Sequence, residues 1–509
     1  MKVVWYEKSI VDYLEKNNKK YGDKIIFSER DKGISYNDFV IESKSVATSI
    51  LDLNFYNKPI IIFIDKTINA LVSMFRVTYS ANFYTVIDVN MPKNRIDNII
   101  KTLNPSLIIT DEKNNDKLNE LGYGIKTLVL EECLKNKINY DKIIEAQERL
   151  IDINPMYVLF TSGSTGVPKG SVISYKSVIS YCKWFTETFK INSRTVFGSQ
   201  TPFYFSMSVS DVFSTVMMGA SLDIIPKSYF SFPLNLIKYM DEKKINTIYW
   251  VPSALSIVAN LKTFDVIKPK YLKKVLFAGE VMPMKPLNIW RKALPKLMYA
   301  NLYGPTELTD ICTYYIVDRD FEDNETLPIG KPCNNCEAII IDENNKEVPY
   351  GKEGELCIKG SIISLGYYNN KEKTDSTFVQ NPLNNSFNEL IYRTGDIVKY
   401  NDAGELIYLS RKDFQIKHMG YRIELGEIET NINAMDGITL CACIYDSDNI
   451  VLYYEGKASI ENIVKFSNEK LVNYMRPNKI IKLSKMPYNA NGKIDRVKLK
   501  EMYKEEQNG

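Results

Sequence analysis

MYVLFTSGSTGVPKG, residues 156 to 170, sets a short apolar run against seven small or hydroxyl residues. Tyr157 to Phe160 has the length and content of a buried strand. Thr161 to Gly166, with Gly170 beyond Pro168-Lys169, then supplies glycine backbone that can turn its N–H groups around an anion, and hydroxyls that add donors. Lys169 adds a mobile positive charge for a phosphate chain. The spacing is not Gly-x-x-x-x-Gly-Lys-Ser/Thr, so this is not the Walker loop. Taken alone, the stretch also reads as a Ser/Gly-rich surface hairpin, and the rest of the chain has to decide between the two.

Working outward, strand-like and helix-like pieces alternate on both sides of it. Upstream, Pro59 to Phe63, Thr85 to Asp88, Leu107 to Thr110 and Thr127 to Leu130 read as strands, and Thr67 to Ser80 as a helix. Ser35 or Asn37 is placed to cap an earlier helix. Downstream, Lys176 to Phe189 and Phe203 to Met218 carry helical stripes, while Leu222 to Ile225, Thr247 to Val251 and Lys274 to Ala278 read as buried strands. This alternation predicts a layered α/β domain on a mostly parallel sheet. From Glu337 to Leu409 the texture turns to β, with hairpin signals at Tyr350-Gly-Lys-Glu-Gly354 and Asp402-Ala-Gly404. A boundary near Arg411 to Asp413 leaves about a hundred residues with their own strands and helices. The expected organisation is a large domain over 1–411 and a small α+β domain over 412–509.

A chain of 509 residues is too long for one core, which agrees with that division. The net charge of +3 argues against polyanion binding as the main role, so no nucleic-acid partner is expected. No apolar run is long enough to span a bilayer, and Glu7 and Lys8 interrupt the place where a leader would need its apolar stretch. Eight cysteines, with one CxxC at Cys333 and Cys336, make neither a disulfide framework nor a zinc finger. The expectation is reduced thiols, a cytoplasmic location and no membrane insertion. The single histidine, His418, argues against His-rich metal sites and a Ser-His-Asp hydrolase.

Six further islands stand out: NLYGPTE at 301–307, GELCIKG at 354–360, YRTGD at 392–396, RKDFQIKHMGYRIELGEIE at 411–429, NYMRP at 473–477 and NGKIDR at 491–496. Each alone has a plain structural account as a turn or capped loop. In this order and spacing, together with TSGSTGVPKG, the chain resembles the adenylate-forming superfamily of acyl-AMP ligases from about Ile34 to its end. It looks most like nonribosomal peptide synthetase adenylation domains and free-standing D-alanine–carrier-protein ligases.

That resemblance implies ATP and Mg²⁺ as cofactors, an acyl-adenylate product, and transfer of the acyl group to a phosphopantetheine thiol. It assigns Thr161, Ser162, Gly163, Thr165, Gly166 and Lys169 to the phosphates and Glu307 to the metal. Gly279, Glu280, Leu302, Gly304, Thr306 and Tyr408 are assigned to cofactor binding, Tyr303 to stacking on adenine, Asn301 to its exocyclic amine, Asp396 to the ribose hydroxyls, and Arg411 to ribose or phosphate. Lys493 in NGKID matches the lysine that works at the α-phosphate, and Asp413 the hinge about which the small domain turns. The chemistry agrees: a carboxylate attacking a phosphate needs donors and cations around the developing charge, and Mg²⁺ takes few carboxylates beside phosphate oxygens.

Two positions depart from the pattern. Ser410 precedes Arg411 where glycine is usual. Ser206 stands where α-amino-acid-activating relatives carry the Asp that pairs with the substrate ammonium. A buried ammonium without its carboxylate forfeits about 2–5 kcal/mol, which disfavours a simple α-amino acid. Asp310, at a pocket position usually apolar, is expected to move the polar anchor to the far end of a pocket lined by Ser206, Ser210, Trp250, Leu276, Ala278, Leu302 and Ile311, with Trp250 making it short or flat. The acid would then carry a β- or distal amine, as in β-alanine, or a hydroxyl, as in a hydroxybenzoate. The expected partner is a phosphopantetheinylated carrier protein in trans. An acyl-coenzyme A ligase, a D-alanine–carrier-protein ligase and a non-catalytic nucleotide-binding relative remain the alternatives.

Overall fold

The apolar run that opens the Ser/Gly stretch is a strand, Pro155–Thr161, in a six-stranded sheet. The sheet runs in the order Thr127–Val129, Leu107–Thr110, Pro59–Phe63, Phe83–Val86, Pro155–Thr161, Lys169–Ser174. The first five strands pair in parallel. Leu107–Thr110 and Pro59–Phe63 are apolar and buried at nearly every position, as expected of strands covered on both faces. The strand expected at Thr85 to Asp88 lies two residues earlier, Phe83–Val86, because its pairing with Pro59 to Ile62 begins at Phe83.

The structure is a computed structural model describing residues 7–134, 137–163, 167–488 and 494–508. It divides into two units. The first takes in Met1–Val89, Leu103–Leu159 and Gly170–Lys412, and the second takes in Asn90–Thr102, Phe160–Lys169 and Asp413–Gly509.

The first unit also holds a nine-stranded sheet. Its inner strands run Met298–Tyr303, Lys274–Ala278, Thr247–Trp250, Val196–Ser199, Ser221–Ile224, Ile25–Glu29, all parallel. Antiparallel strands close both edges. Helices Tyr175–Thr188 and Ser208–Met218 pack on one another, and the stacked rings of Tyr157 and Phe213, 6.5 Å apart, join the second of them to the six-stranded sheet. The helical stripe read from Phe203 begins only at Ser208. Residues before it are held in successive turns, Phe205 N–H to Pro202 O and Ser208 N–H to Phe205 O, both 3.1 Å. Ser35, not Asn37, is the cap of Tyr36–Leu51. The β-textured stretch forms a five-stranded antiparallel sheet that includes Gly354–Gly360, Leu390–Tyr400 and Leu406–Arg411.

The second unit carries the hairpin Gln415–His418/Tyr421–Glu424, helices Leu425–Asn433 and Ile460–Lys470, and a three-stranded sheet. Ile423, Ile428, Ile432, Cys443, Leu452 and Ile463 form its core. Among the described residues no helix is long and apolar enough to cross a membrane.

Candidate active site

In the nine-stranded sheet the parallel strands Val196–Ser199, Thr247–Trp250, Lys274–Ala278 and Met298–Tyr303 end side by side, and the carboxyl edge of such a sheet is where α/β proteins bind ligands. Strand residues alternate between faces, and parallel register aligns them across strands. Tyr249 pairs with Leu276, and Ala278 with Leu302, on one face; Trp250 pairs with Phe277, and Phe277 with Asn301, on the other. The two faces hold two different groups.

On the Asn301 face, Tyr303 donates its hydroxyl to Asp396. Arg411 Nη1 donates to the other oxygen of Asp396 at 2.6 Å, and both side chains are buried. Asp396 and Arg411 are direct cross-strand partners, so the pair is built into the sheet. The Thr394-Gly395-Asp396 corner aims the carboxylate. Gly395 has φ +75°, Thr394 Oγ1 donates to Leu356 O at 2.7 Å, and the Asp396 amide donates back to Thr394 Oγ1 at 3.0 Å. Asn301 gives its amide N–H to Pro328 O at 2.8 Å. Tyr408 lies beside Tyr303, ring centres 6.5 Å apart. Ser410 has no positive φ, so the backbone does not call for glycine there.

Gly279 has φ +94° at the end of its strand, and Glu280 accepts from the Ser253 amide at 2.8 Å, in the first turn of Pro252–Asn260. Gly304 is obligatory in a different way: a Cβ there would lie 2.1 Å from Asp310 O. Thr306 opens a 3₁₀ turn, Thr306–Leu308. Glu307 within it is fully buried and accepts from the Tyr367 hydroxyl at 2.6 Å.

Thr309 follows with φ 67° and ψ −55°, and the Asp310 amide donates to Leu308 O at 2.7 Å. That is a γ-turn of the strained kind, and a β-branched residue at its centre is an outlier. Thr309 Oγ1 holds it by donating to Ile362 O at 2.8 Å. The turn separates Glu307 from Asp310 within three residues.

Asp310 belongs to the other face. It is 1% exposed, and one of its carboxylate oxygens accepts from Ser210 Oγ at 2.7 Å and from the hydroxyls of Tyr181 and Tyr249, each at 3.1 Å. Burial pushes its pKa up to about 6, and the hydroxyls around it hold it from going higher. Leu276, Ala278, Leu302 and Ile311 are all buried.

One expectation changes here. Trp250 does not join this group: its indole donates to Gly198 O at 2.8 Å and its ring packs on Phe230. The residue that reaches Asp310 is Tyr249, one position earlier, because a single step along a strand reverses the face. Tyr181 lies within the helical stripe of 176–189, and nothing in the sequence singles it out for this group.

In the second unit, Ser162 Oγ donates to Arg422 O at 2.7 Å and accepts from the Glu424 amide at 3.1 Å. Lys169 is buried, 3.5 Å from the Glu424 carboxylate. Thr161 Oγ1 is buried without a partner among the described residues. A Cβ on Gly163 would lie 2.0 Å from Val167 O, so only glycine fits. Thr165, Gly166 and Lys493 lie outside the described residues, and Asp413 is exposed, accepting from the Gln415 amide at 3.3 Å.

The family description AMP-binding enzyme matches residues 14–368, most of the chain. The chain belongs to the AMP-binding enzyme family. This family member is 31% identical over 453 residues to Zwittermicin A synthase ZmaJ of Bacillus cereus, covering 86% of this chain and 83% of that one. It is 28% identical to a D-alanine–D-alanyl carrier protein ligase of Bacillus mycoides (strain KBAB4), covering 96% of this chain and 98% of that protein. Other curated relatives are much longer, and the chain spans only 45% of one and 19% of another. The Vibrio cholerae adenylation domain AlmE, solved in complex with glycyl-adenosine-5'-phosphate, superposes with a TM-score of 0.83 at 20% identity, covering 99% of both chains. This AMP-binding enzyme therefore has the adenylation-domain fold.

Proposed function

We propose that the chain is an ATP-dependent, AMP-forming ligase. It joins a small carboxylic acid to AMP with release of pyrophosphate, then passes the acyl group to the phosphopantetheine thiol of a separate carrier protein. The observation that carries this reading is the buried Tyr303–Asp396–Arg411 group at the carboxyl edge of the parallel sheet. A carboxylate offers about four acceptor positions, and these two donors leave room for a ribose diol. Asn301 keeps a carbonyl oxygen for the adenine amino group.

In this reading Glu307 holds Mg²⁺, and a buried carboxylate that also accepts from the Tyr367 hydroxyl fits an ion that prefers few protein ligands. The metal would neutralise phosphate charge. Lys169, Ser162 and Thr161 hold the departing phosphates, and Thr161 Oγ1 is a buried hydroxyl still to be used. Arg411 steadies ribose or phosphate while it orients Asp396. Lys493 works at the α-phosphate, and Asp413 is the hinge of a small domain starting near 412.

The acid is not a simple α-amino acid, since Ser206 has no charge to offer an α-ammonium; a β-alanine-like or hydroxy or aryl acid fits better. A second reading, D-alanine transfer to its carrier, is favoured by the end-to-end likeness to that ligase. Pyrophosphate exchange over an acid panel tests activation, and thioester formation with coenzyme A against a phosphopantetheinylated carrier tests the acceptor. Preference for D-alanine would decide for the second reading, use of coenzyme A would make this an acyl-coenzyme A ligase, and no exchange with any acid would leave a nucleotide-binding protein without this chemistry.

A further inference from the structure

Cys333 and Cys336, the CxxC of the sequence, stand at the two ends of a β-turn that the Cys336 amide closes by donating to Cys333 O at 3.0 Å. A hydrogen-bonded turn holds its first and last Cα atoms under about 7 Å apart, and a disulfide spans about 4.4–6.8 Å. Both thiols lie against the same short stretch of backbone. Cys333 Sγ donates to Ile311 O at 3.8 Å, and Cys336 Sγ to Cys312 O at 3.1 Å. The Cys333 amide adds a third bond to that stretch, to Cys312 O at 2.9 Å. The two sulfurs are therefore turned to one side of the turn. The Cys312 thiol is used elsewhere, donating to Tyr303 O at 3.5 Å.

The pair differs in access. Cys333 is 1% exposed, and burial, with the Cys336 and Cys312 sulfurs beside it, keeps its thiol protonated. Cys336 is half-buried and lines an open cleft of about 800 Å³ with Asn335, Lys359, Ser361 and Glu389. Its cross-strand partner is Gly360, where a Cβ would stand 2.7 Å from the Cys336 Cβ, so glycine leaves room beside the thiol. A small solute in the cleft meets Cys336 first, with Cys333 behind it.

We infer that Cys333 and Cys336 are a reversible oxidation site, closed to a disulfide by a hydroperoxide entering through this cleft, and that closure loosens the backbone that carries Asp310. The Cys336 sulfur attacks one peroxide oxygen; the S–O bond forms, the O–O bond breaks, and the departing oxygen takes the Cys336 proton and leaves as an alcohol or water. The Cys333 sulfur then attacks the sulfenic sulfur; the S–S bond forms, the S–O bond breaks, and hydroxide leaves as water with the Cys333 proton. Two thiols are oxidised by two electrons and one peroxide is reduced. The disulfide has no S–H, so the Ile311 and Cys312 carbonyls each lose a donor, one and two positions beyond Asp310. A small thiol such as dithiothreitol reverses the step by exchange.

The full-length protein is treated with hydrogen peroxide, its remaining thiols are blocked, and it is cut with trypsin. Peptide 320–346, released after Arg319 and Lys346 because Pro332 protects Lys331, holds Cys333 and Cys336 but not Cys312. It should be lighter by two hydrogen atoms and regain them with dithiothreitol. Cys336→Ser, which keeps a hydroxyl donor for Cys312 O, should show no loss. Cys333→Ser should leave Cys336 as a sulfenic acid that dimedone captures. A wild-type peptide that stays reduced, gains oxygen without losing hydrogen, or is found linked to Cys312 overturns the assignment, whether or not the variants fold. The effect on the acid, unlike the disulfide, rests on the acyl-adenylate reading. Oxidation should raise KM for the preferred acid in ATP–pyrophosphate exchange about two- to tenfold and leave that of Cys336→Ser unchanged. An unaltered KM in fully oxidised wild type overturns the coupling to Asp310. Absence of exchange with every acid, oxidised or reduced, would sink the ligase reading and leave the mass measurement standing.

Discussion

Asp310 bears a cost that thermal unfolding can read without any substrate. Its carboxyl stands at about 6 in the folded protein against an ordinary 3.8, because burial penalises the charged form. Between these values the folded state binds more protons than the unfolded chain, so stability is lost as pH rises from about 4 to 6 and stays lost above. Full ionisation forfeits about 3 kcal/mol. Asparagine has no such dependence. The Tm of Asp310→Asn should therefore gain on that of the wild type between pH 4 and pH 7, and a gap independent of pH would contradict the burial argument. Lys169 makes the complementary case. Its ammonium already faces Glu424 at 3.5 Å, so a phosphate chain competes for a charge that is in use. Lys169→Ala should raise KM for ATP about 10- to 100-fold, the range of a lost charged hydrogen bond. It should leave the order of acid preference unchanged, and an altered order would show that the loop does not serve the phosphates.

At the scale of the element, the turn at Thr309 does the positioning between the two faces of the sheet. Thr309 is held in a strained γ-turn by one hydrogen bond to Ile362 O, and that turn parts Glu307 from Asp310. Thr309→Val keeps the β-branch and its strain while removing the hydroxyl, so it isolates that bond. It should cost about 1–2 kcal/mol in denaturant unfolding, since the Ile362 carbonyl is left buried without its donor. It should also raise KM for the acid, because Asp310 loses its anchor point. The Thr394-Gly395-Asp396 corner works by the same logic on the neighbouring sheet. Only glycine adopts φ +75° without strain, and the corner turns Asp396 onto its cross-strand partner Arg411.

For the molecule as a whole, the core of the second unit is drawn almost entirely from 413–509, from Ile423 through Met475, with Met91 only packed against its margin. The fragment 413–509 should accordingly fold alone and melt cooperatively by circular dichroism. It should be less stable than the same segment in the full chain, because the buried ion pair of Arg95 with Glu427 is lost from it. A fragment with no cooperative transition would mean that Asn90–Thr102 and Phe160–Lys169 are needed to complete the core.

Much of this was legible before any coordinates. The buried runs at Pro59–Phe63, Leu107–Thr110, Thr247–Trp250 and Lys274–Ala278 announce parallel strands, since hydrophobic runs, glycines and caps act over a few neighbouring residues. The YRTGD and YGPTE islands could be recognised because their residues are contiguous. The make-up of the Asp310 cluster could not. Its choice of Tyr249 over Trp250 depends on the parity of a strand register, and the meeting of Asp310 with Tyr181 and Ser210 spans 129 and 100 positions of chain. Contacts of that kind arise from the pairing of parallel strands and the packing of two helices against them. The chain by itself determined that this protein is an α/β member of its family. Only the tertiary structure decided which hydroxyls surround Asp310, because a buried charge is solvated by whatever the fold brings to it and not by its sequence neighbours.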